Sequence, residues 1–348
     1  MNTNPIIAVT MGDPAGNGPE ITIKAFSHFD LYNCCRPLVI GDAKVLEQAK
    51  HFVGRPDIKI HRIHQVEEAL FQPGTIDVFH LELISDIAAF PIGKVSTEGG
   101  NAAFQCVAKA IELAMAGKVD ANVTNALNKE AMNLALAPKG LHFDGHTEIY
   151  ATYTHTKKYA MMLAYHDLRV VHVSTHCSLR EACDRVKKDR VLEVIEIADK
   201  ACRDMGIASP KVAVAGLNPH CGEHGLFGRE EIDEIIPAVE AAKEEGIQAI
   251  GPVPPDSVFS EALGGWYDIV VCMYHDQGHI PLKTLGFVYD RKAQKWKAVE
   301  GVNITLGLPI IRTSVDHGTG FAVAGKGTAN ELSLVNAIQY AVRMAKNR

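Results

Sequence analysis

Three histidines share one position in this chain. LRVVHVST is followed at once by His176, KVAVAGLNP by His220 and DIVVCMY by His275. Each preceding run has the length and β-branched content of a buried strand. Open α/β sheets place their ligand sites just beyond the carboxyl ends of the strands. Imidazoles on three strand ends can therefore meet in space although they are far apart in sequence. Imidazole is the commonest metal ligand, and three protein ligands with an open position describe a catalytic divalent-metal site. The chain has 16 histidines, so the other use of each, a loop side chain that hydrogen-bonds its neighbours, stays open. The shared placement on three strands is what favours a metal. His220 and His224, and likewise His275 and His279, are four residues apart, but Gly222 and Gly278 intervene and argue against a helical metal-binding pair.

A second set of residues suits an anion. Lys283, Asn303 and Arg312 lie in the polar-punctuated stretch after His275. Arginine grips a phosphate with two parallel hydrogen bonds, and lysine adds a point charge. The segment DGHTE, with His146 and Thr147, opens an expected helix whose free N–H groups favour an anion. Lys129 follows a strand and can reach either a ligand or solvent. GDPAGNGPE follows the first strand and contains Gly16 and Gly18, but it lacks the third glycine of the dinucleotide fingerprint. It reads as a tight functional turn. The glycine-rich stretch from Asp316 to Asn330 fits a nucleotide loop and a plain connecting loop equally well on local grounds.

The elements that must hold these residues alternate strand and helix, the signature of an α/β fold. Strands are expected at Ile6–Met11, Pro37–Ile40, Asn122–Thr124, Leu168–Thr175, Lys211–Leu217 and Asp268–Tyr274. Helices are expected from about Ile21, then at Asn101–Ala116, Ser178–Met205, Arg229–Glu245 and Glu331–Lys346. In Arg229–Glu245 the residues Ile232, Ile235, Ile236 and Val239 share one apolar face. No repeat, low-complexity stretch or Pro/Gly-rich linker marks a domain boundary.

Composition narrows the function classes. Of 348 residues 47% are hydrophobic and 22% charged, with a net charge of -6. An acidic chain of this kind is not expected to bind nucleic acid, which calls for a basic face. An anionic substrate must be met by a local positive cluster. No apolar run approaches the roughly 20 residues of a membrane helix, and the N-terminus has no signal-peptide pattern. The eight cysteines show no CxxC spacing and read as reduced thiols of a cytoplasmic protein.

Taken in order, MGDPAGNGPE, GHTE, STH, GLNPHCGEHGLFGREE, MYHDQGHIPLK, GVNITLGLPIIRTSVDHGTG and AGKGTAN resemble the 4-hydroxythreonine-4-phosphate dehydrogenase family. The resemblance implies a two-domain fold like that of isocitrate and isopropylmalate dehydrogenases, with the active-site cleft between the domains. Residues 1–125 with 285–348 would form the domain with the cofactor loops, and 126–284 the domain with the metal histidines. It puts His176, His220 and His275 on the family's metal-ligand positions, for Zn, Mg, Mn or Co. His146, Thr147, Lys283, Asn303 and Arg312 fall on substrate positions. NAD would lie on the loops that include Asp316, Gly318 and Thr319. The family works as a homodimer whose sites are completed by the neighbouring subunit. Asp256 or Lys129 is the candidate base for the hydroxyl proton.

The chain departs from the family in places. Ala126-Leu127-Asn128-Lys129 stands where PINK is usual, Ala322 where the Asp of FDIAG is usual, and Gly320 where Ala is usual. An insert, FVYDRKAQKWKAVE, lies between Gly286 and Gly301. It points to the catabolic branch, which resembles 4-phospho-threonate and 4-phospho-erythronate dehydrogenases: NAD- and metal-dependent oxidation, with decarboxylation, of a phosphorylated four-carbon hydroxy acid. The rivals are 4-hydroxythreonine 4-phosphate dehydrogenase of vitamin B6 synthesis, a dihydrodiol dicarboxylate dehydrogenase, a metal-dependent hydrolase or lyase, and a phosphate-binding protein without chemistry.

Overall fold

The computed structural model describes residues 4–292 and 295–348. In chain order the elements are β1 (Ile6–Thr10), α1 (Gly18–Phe26), α2 (Leu31–Cys34), β2 (Arg36–Gly41), α3 (Ala43–Phe52), β3 (Lys59–Ile63), β4 (Thr75–His80), α4 (Thr97–Met115), β5 (Ala121–Thr124), α5 (Lys129–Leu136) and α6 (His146–Tyr153). Then come β6 (Ala160–Tyr165), β7 (Leu168–His172), α7 (Leu179–Arg185), α8 (Lys188–Asp204), β8 (Lys211–Ala215), α9 (Ile236–Glu244), β9 (Gln248–Val253), α10 (Val258–Leu263), β10 (Ile269–Cys272) and α11 (His275–Gly286). The chain ends with β11 (Phe287–Asp290), β12 (Lys295–Val299), β13 (Val302–Leu306), β14 (Ile311–Val315) and α12 (Leu332–Lys346). No helix among the described residues is long and apolar enough to cross a membrane.

The chain forms two compact units: Met1–Thr156 with Leu308–Lys346, and Lys157–Gly307 with Asn347–Arg348. The expected crossings after residues 125 and 284 give way to crossings after 156 and 307, and packing supplies the reason. Met132, Leu136, Phe143, Ile149 and Tyr150, on and around α5 and α6, bury themselves with Phe104, Val107 and Ile111 of α4. That apolar surface keeps α5 and α6 in unit 1. At the other crossing, β13 pairs antiparallel with β6, from Val302 opposite Ala164 to Leu306 opposite Ala160, and so stays in unit 2.

In unit 1 the strand order is β3-β4-β2-β1-β5-β14, and every adjacent pair is parallel. The central strands β1 (IIAVT) and β2 (RPLVIG) are mainly apolar and buried, as strands covered on both faces are, whereas the edge strand β3 (KIHRI) is largely unburied. The order reverses beside β1: β2 lies on one side of it and β5 on the other. Ligand crevices of such sheets open outside the carboxyl ends at this switch point, here bordered by the loops after β1 and β5, with the loop after β14 next along.

In unit 2 the order is β13-β6-β7-β10-β8-β9. Strands β7, β10, β8 and β9 run parallel, and at one side β6 lies antiparallel to both β7 and β13. The three strands that precede His176, His275 and His220 are therefore neighbours with the same direction. Leu163, Val170, Ala213, Val270 and Leu282 are among the buried residues that hold this layer. The inserted segment forms an antiparallel hairpin of β11 and β12. Its residues Ala293 and Gln294 lie outside the described residues.

Most expected elements appear with boundaries shifted by a few residues. Two expectations need correction. The helix expected over Ser178–Met205 is broken, since Val186 (φ -74°, ψ 92°) and Lys187 (φ -125°, ψ 143°) are extended. The break buries Val186 fully and lets Lys187 pair with Glu234 at 3.0 Å. The helix expected over Arg229–Glu245 begins as a π turn at Glu231–Ile235. Ile235 and Val239 are buried, but Ile232 and Ile236 are 36% and 40% exposed, so the four do not share an apolar face. Glu231 turns inward instead, to a task described below.

Candidate active site

The carboxyl edge of β7 and β10 brings His176 and His275 together. Their ring centroids lie 5.8 Å apart, and both line a cavity of about 440 Å³ with Thr175, Cys177, Tyr274 and Asp276. His275 opens α11, and its Nδ1 lies 2.7 Å from Asp276 Oδ1. A carboxylate only accepts, so Nδ1 of the neutral ring carries the proton and Nε2 the lone pair. Carboxylate-oriented imidazoles of this kind are typical metal ligands. The same bond holds the Asp276 carboxyl below its ordinary pKa.

Two further histidines stand behind this pair. His279 stacks on His275 with centroids 3.5 Å apart, and His172 lies 4.8 Å from His279. The expectation that Gly278 interrupts a helical arrangement of His275 and His279 is corrected, because α11 runs straight through it. The glycine is there for space: a Cβ at Gly278 would stand 2.6 Å from His172 Nε2. Burial pushes His172 down to about 4 and His279 down to about 3, the latter helped by His172. Their Nδ1 atoms face the carbonyls of Met161 at 3.1 Å and His275 at 2.8 Å, so each keeps an Nε2 lone pair. Sequence reasoning passed over His172 and set His279 aside because of Gly278. The continuation of the His275–His279 spacing to Lys283 was the signal that the segment is helical.

His220 sits on a different kind of backbone. His220, Cys221, Gly222, Glu223 and His224 all have positive φ, from 42° to 78°. A left-handed run costs non-glycine residues roughly 1–2 kcal/mol each, and such strain gathers at functional sites. The buried Glu231 carboxylate holds the start of the turn. It accepts from Leu217 N and Asn218 N, both at 2.7 Å, and from Asn218 Nδ2 at 2.9 Å. Gln277 ties the neighbouring loops, accepting from Met273 N at 2.7 Å and donating to Gly216 O at 2.8 Å. Asp256 is exposed after β9. It adds to the burial and the Glu231 charge that raise Cys221 to about 11, which puts it beside this turn. Glu231→Ala should leave two backbone N–H groups unsatisfied and lower stability by about 2–4 kcal/mol. Urea unfolding measures this, and a loss below ~0.5 kcal/mol would mean that the carboxylate does not hold the turn.

The donor chemistry around His275 suits a divalent cation. Among the described residues, however, no group of three or more His, Cys, Asp or Glu side chains stands ready to hold a metal. His176 and His275 approach each other, and His220 is not grouped with them in such a set. Elsewhere in unit 2, Lys283 stands on α11 with its Nζ 5.0 Å from the Phe287 ring centroid. Asn303 on β13 donates to Met161 Sδ at 3.3 Å, and its Oδ1 is buried without a partner.

In unit 1 the sheet buries a cation. Arg312 on β14 is 2% exposed and donates through Nε and Nη2 to Thr124 Oγ1 at 3.2 and 2.7 Å. Burial pulls its guanidinium down to about 10, against the opposing pull of Tyr150 and Glu148. The first turn of α6 carries His146 and Thr147 after Gly145, which has no capping side chain. His146 Nε2 is buried with no partner. Burial, then the charges of Arg312 and Lys129, hold its pKa well below the ordinary value. Arg312, Lys129 and the open N-terminus of α6 thus surround His146 with positive potential, the setting for an oxyanion.

The loop after β14 carries Asp316, Gly318 and Thr319, and it is fixed by the turn after β1. Asn17 N donates to Thr319 O at 2.8 Å, and a Cβ at Gly16 would stand 2.6 Å from that oxygen. The GDPAGNGPE turn therefore serves as the seat of the second loop. A Cβ at Gly318 would meet open space, and His317 Nε2 is buried without a partner. An open backbone beside an orphaned ring nitrogen is compatible with a nucleotide. Asp13, in the same turn, is 1% exposed, and burial raises it to about 6.

Comparison with known proteins places this geometry in a family. The chain is 46% identical to D-threonate 4-phosphate dehydrogenase of Cupriavidus necator, covering 99% of this chain and 98% of that one. It is 47% identical to the enzyme of the same name from Salmonella typhimurium, over 97% and 98%. A 4-hydroxythreonine-4-phosphate dehydrogenase from Klebsiella pneumoniae superposes with a TM-score of 0.85 at 44% identity, over 98% of this chain and 100% of that one. The family model described as pyridoxal phosphate biosynthetic protein PdxA matches residues 33–341, and the chain belongs to that family.

Proposed function

We propose that the protein oxidises the C3 hydroxyl of a phosphorylated four-carbon hydroxy acid, of the D-threonate 4-phosphate or 4-phospho-erythronate kind, with NAD and with loss of CO2. The observation that carries this is the buried Arg312 beside the open N-terminus of α6, an oxyanion site in the interior of unit 1. The names of the near-full-length relatives support the substrate class. The fold of the isocitrate dehydrogenase kind, a cytoplasmic location and a homodimer with shared sites belong to the same proposal on the family resemblance.

In unit 1, Arg312 and the His146–Thr147 turn hold the phosphate and so fix the reacting carbon. Lys129 adds positive potential there. In unit 2, Lys283 and Asn303 are further substrate-binding residues. Asp256, exposed beside the His220 turn, takes the hydroxyl proton. His176, His220 and His275 would hold a divalent cation, which supplies Lewis-acid polarisation of the hydroxyl oxygen and of the carbonyl that replaces it. The loop of Asp316, Gly318 and Thr319 would line NAD, the hydride acceptor. That loop has Lys326 as its single cation, so NADP, whose extra phosphate wants a basic clamp, should be the poorer partner.

The test is a panel of phosphorylated four-carbon acids with NAD or NADP and each divalent metal. D-Threonate 4-phosphate or its erythronate counterpart should give NADH absorbance, CO2 and a three-carbon keto-phosphate in equal amounts. If no phosphorylated acid yields NADH while an ester or a dihydrodiol is turned over, the proposal fails.

A further inference from the structure

Three buried polar atoms around Arg312 have no partner, and none of the substrate-binding residues named above accounts for them. Asn122 on β5 is in direct register with Arg312 on the adjacent parallel strand β14. It is fully buried, and neither its Oδ1 nor its Nδ2 makes a hydrogen bond. Tyr150 on α6 is likewise fully buried, with its ring centroid 5.6 Å from the Arg312 guanidinium carbon. Burial raises its phenol, while Arg312 and the Asn122 side chain, which stands close to the hydroxyl without meeting hydrogen-bond geometry, lower it. Even so, the Tyr150 hydroxyl completes no hydrogen bond within the protein. Native interiors satisfy nearly all buried polar atoms, and the exceptions call for a ligand or a water. Here the exceptions converge on one buried cation.

We propose that Tyr150 and Asn122 are substrate-binding residues that donate, through the phenol O–H and the amide N–H, to the same phosphate that Arg312 holds. The proposal rests on the reading of unit 1 as the oxyanion site. The division of labour follows from chemistry. Arg312 spends two of its N–H groups on Thr124 Oγ1, and a phosphate offers more acceptor lone pairs than a guanidinium so engaged can fill. Tyrosine and asparagine add donors without adding charge. They favour the phosphate, with its many acceptor lone pairs, over a singly charged carboxylate that Arg312 alone can serve.

The test is titration of the full-length protein with inorganic phosphate by calorimetry, with acetate as the carboxylate probe and thermal unfolding alongside. Tyr150→Phe removes one oxygen and keeps the ring. It should weaken phosphate binding about three- to tenfold, the worth of one neutral hydrogen bond, and leave acetate binding unchanged. The unliganded Tm should hold or rise, because an unsatisfied hydroxyl has gone. Asn122→Asp, which points a carboxylate at the anion, should abolish phosphate binding. An unchanged phosphate affinity in Tyr150→Phe, together with a lowered Tm, overturns the proposal and assigns the hydroxyl to an internal water. An equal loss of acetate and phosphate binding overturns the assignment to phosphate. If Arg312→Ala loses phosphate while Tyr150→Phe keeps it, this inference alone fails. If the wild-type protein binds no phosphate, the oxyanion reading of unit 1 fails, and this proposal with it.

Discussion

His275→Ala is expected to lower turnover by about a thousandfold or more, the scale set by several kcal/mol of Lewis-acid stabilisation at 1.36 kcal/mol per decade. The ring is partly exposed at the first position of α11, so the fold should survive, with far-UV circular dichroism and Tm close to wild type. His176→Ala and His220→Ala should behave alike. Asp276→Asn is the more discriminating variant. It keeps the ligand but weakens the acceptor that orients it at 2.7 Å, and it should reduce metal affinity about 10–100-fold, as read by calorimetry. Since the three histidines do not form a ready-made cluster among the described residues, metal binding should also raise Tm. A thoroughly demetallated protein that works at full rate would remove the metal from the mechanism.

Arg312→Ala carries the second large effect. Charge-assisted hydrogen bonds to a phosphate are worth roughly 1.5–3 kcal/mol each, so KM for the phosphorylated acid should rise about ten- to a hundredfold. The dephosphorylated acid should be affected far less. Stability should move in the opposite sense. Burial already pulls the guanidinium down to about 10, so without substrate Arg312 is a buried cation at a disadvantage. Replacing it with methionine, an apolar side chain closer to its volume, should leave the Tm of the free protein unchanged or higher, and phosphate should no longer raise it. Equal KM losses for both acids, with a large drop in Tm, would make Arg312 a structural residue.

The strand-end placement of the candidate site residues was legible in the sequence because strand direction and loop position dictate it. An apolar run followed by histidine is a local pattern, and the carboxyl end of a parallel strand is where such a residue must emerge. The neighbouring order of β7, β10 and β8 agrees with that inference. The start of α6 at His146 was local too, because the DGHTE segment puts the acidic Glu148 in the first turn.

What the sequence could not say depended on partners far along the chain. Gly278 looked like a helix breaker until His172, from another strand, was found to occupy the space of its missing side chain. Ile232 and Ile236 matched a helical face that a π turn rotates out of the core. The start of the His220 turn is held by Glu231, which local propensity would have put in water. Tyr150 and Asn122 read as ordinary core and strand residues. Register and burial alone set them beside Arg312. Local pattern names the residues that leave a strand end, because that information lies within a few bonds. Which polar atoms share a desolvated interior is decided only by closing the chain on itself, because low dielectric and unmet hydrogen bonds belong to the packed whole.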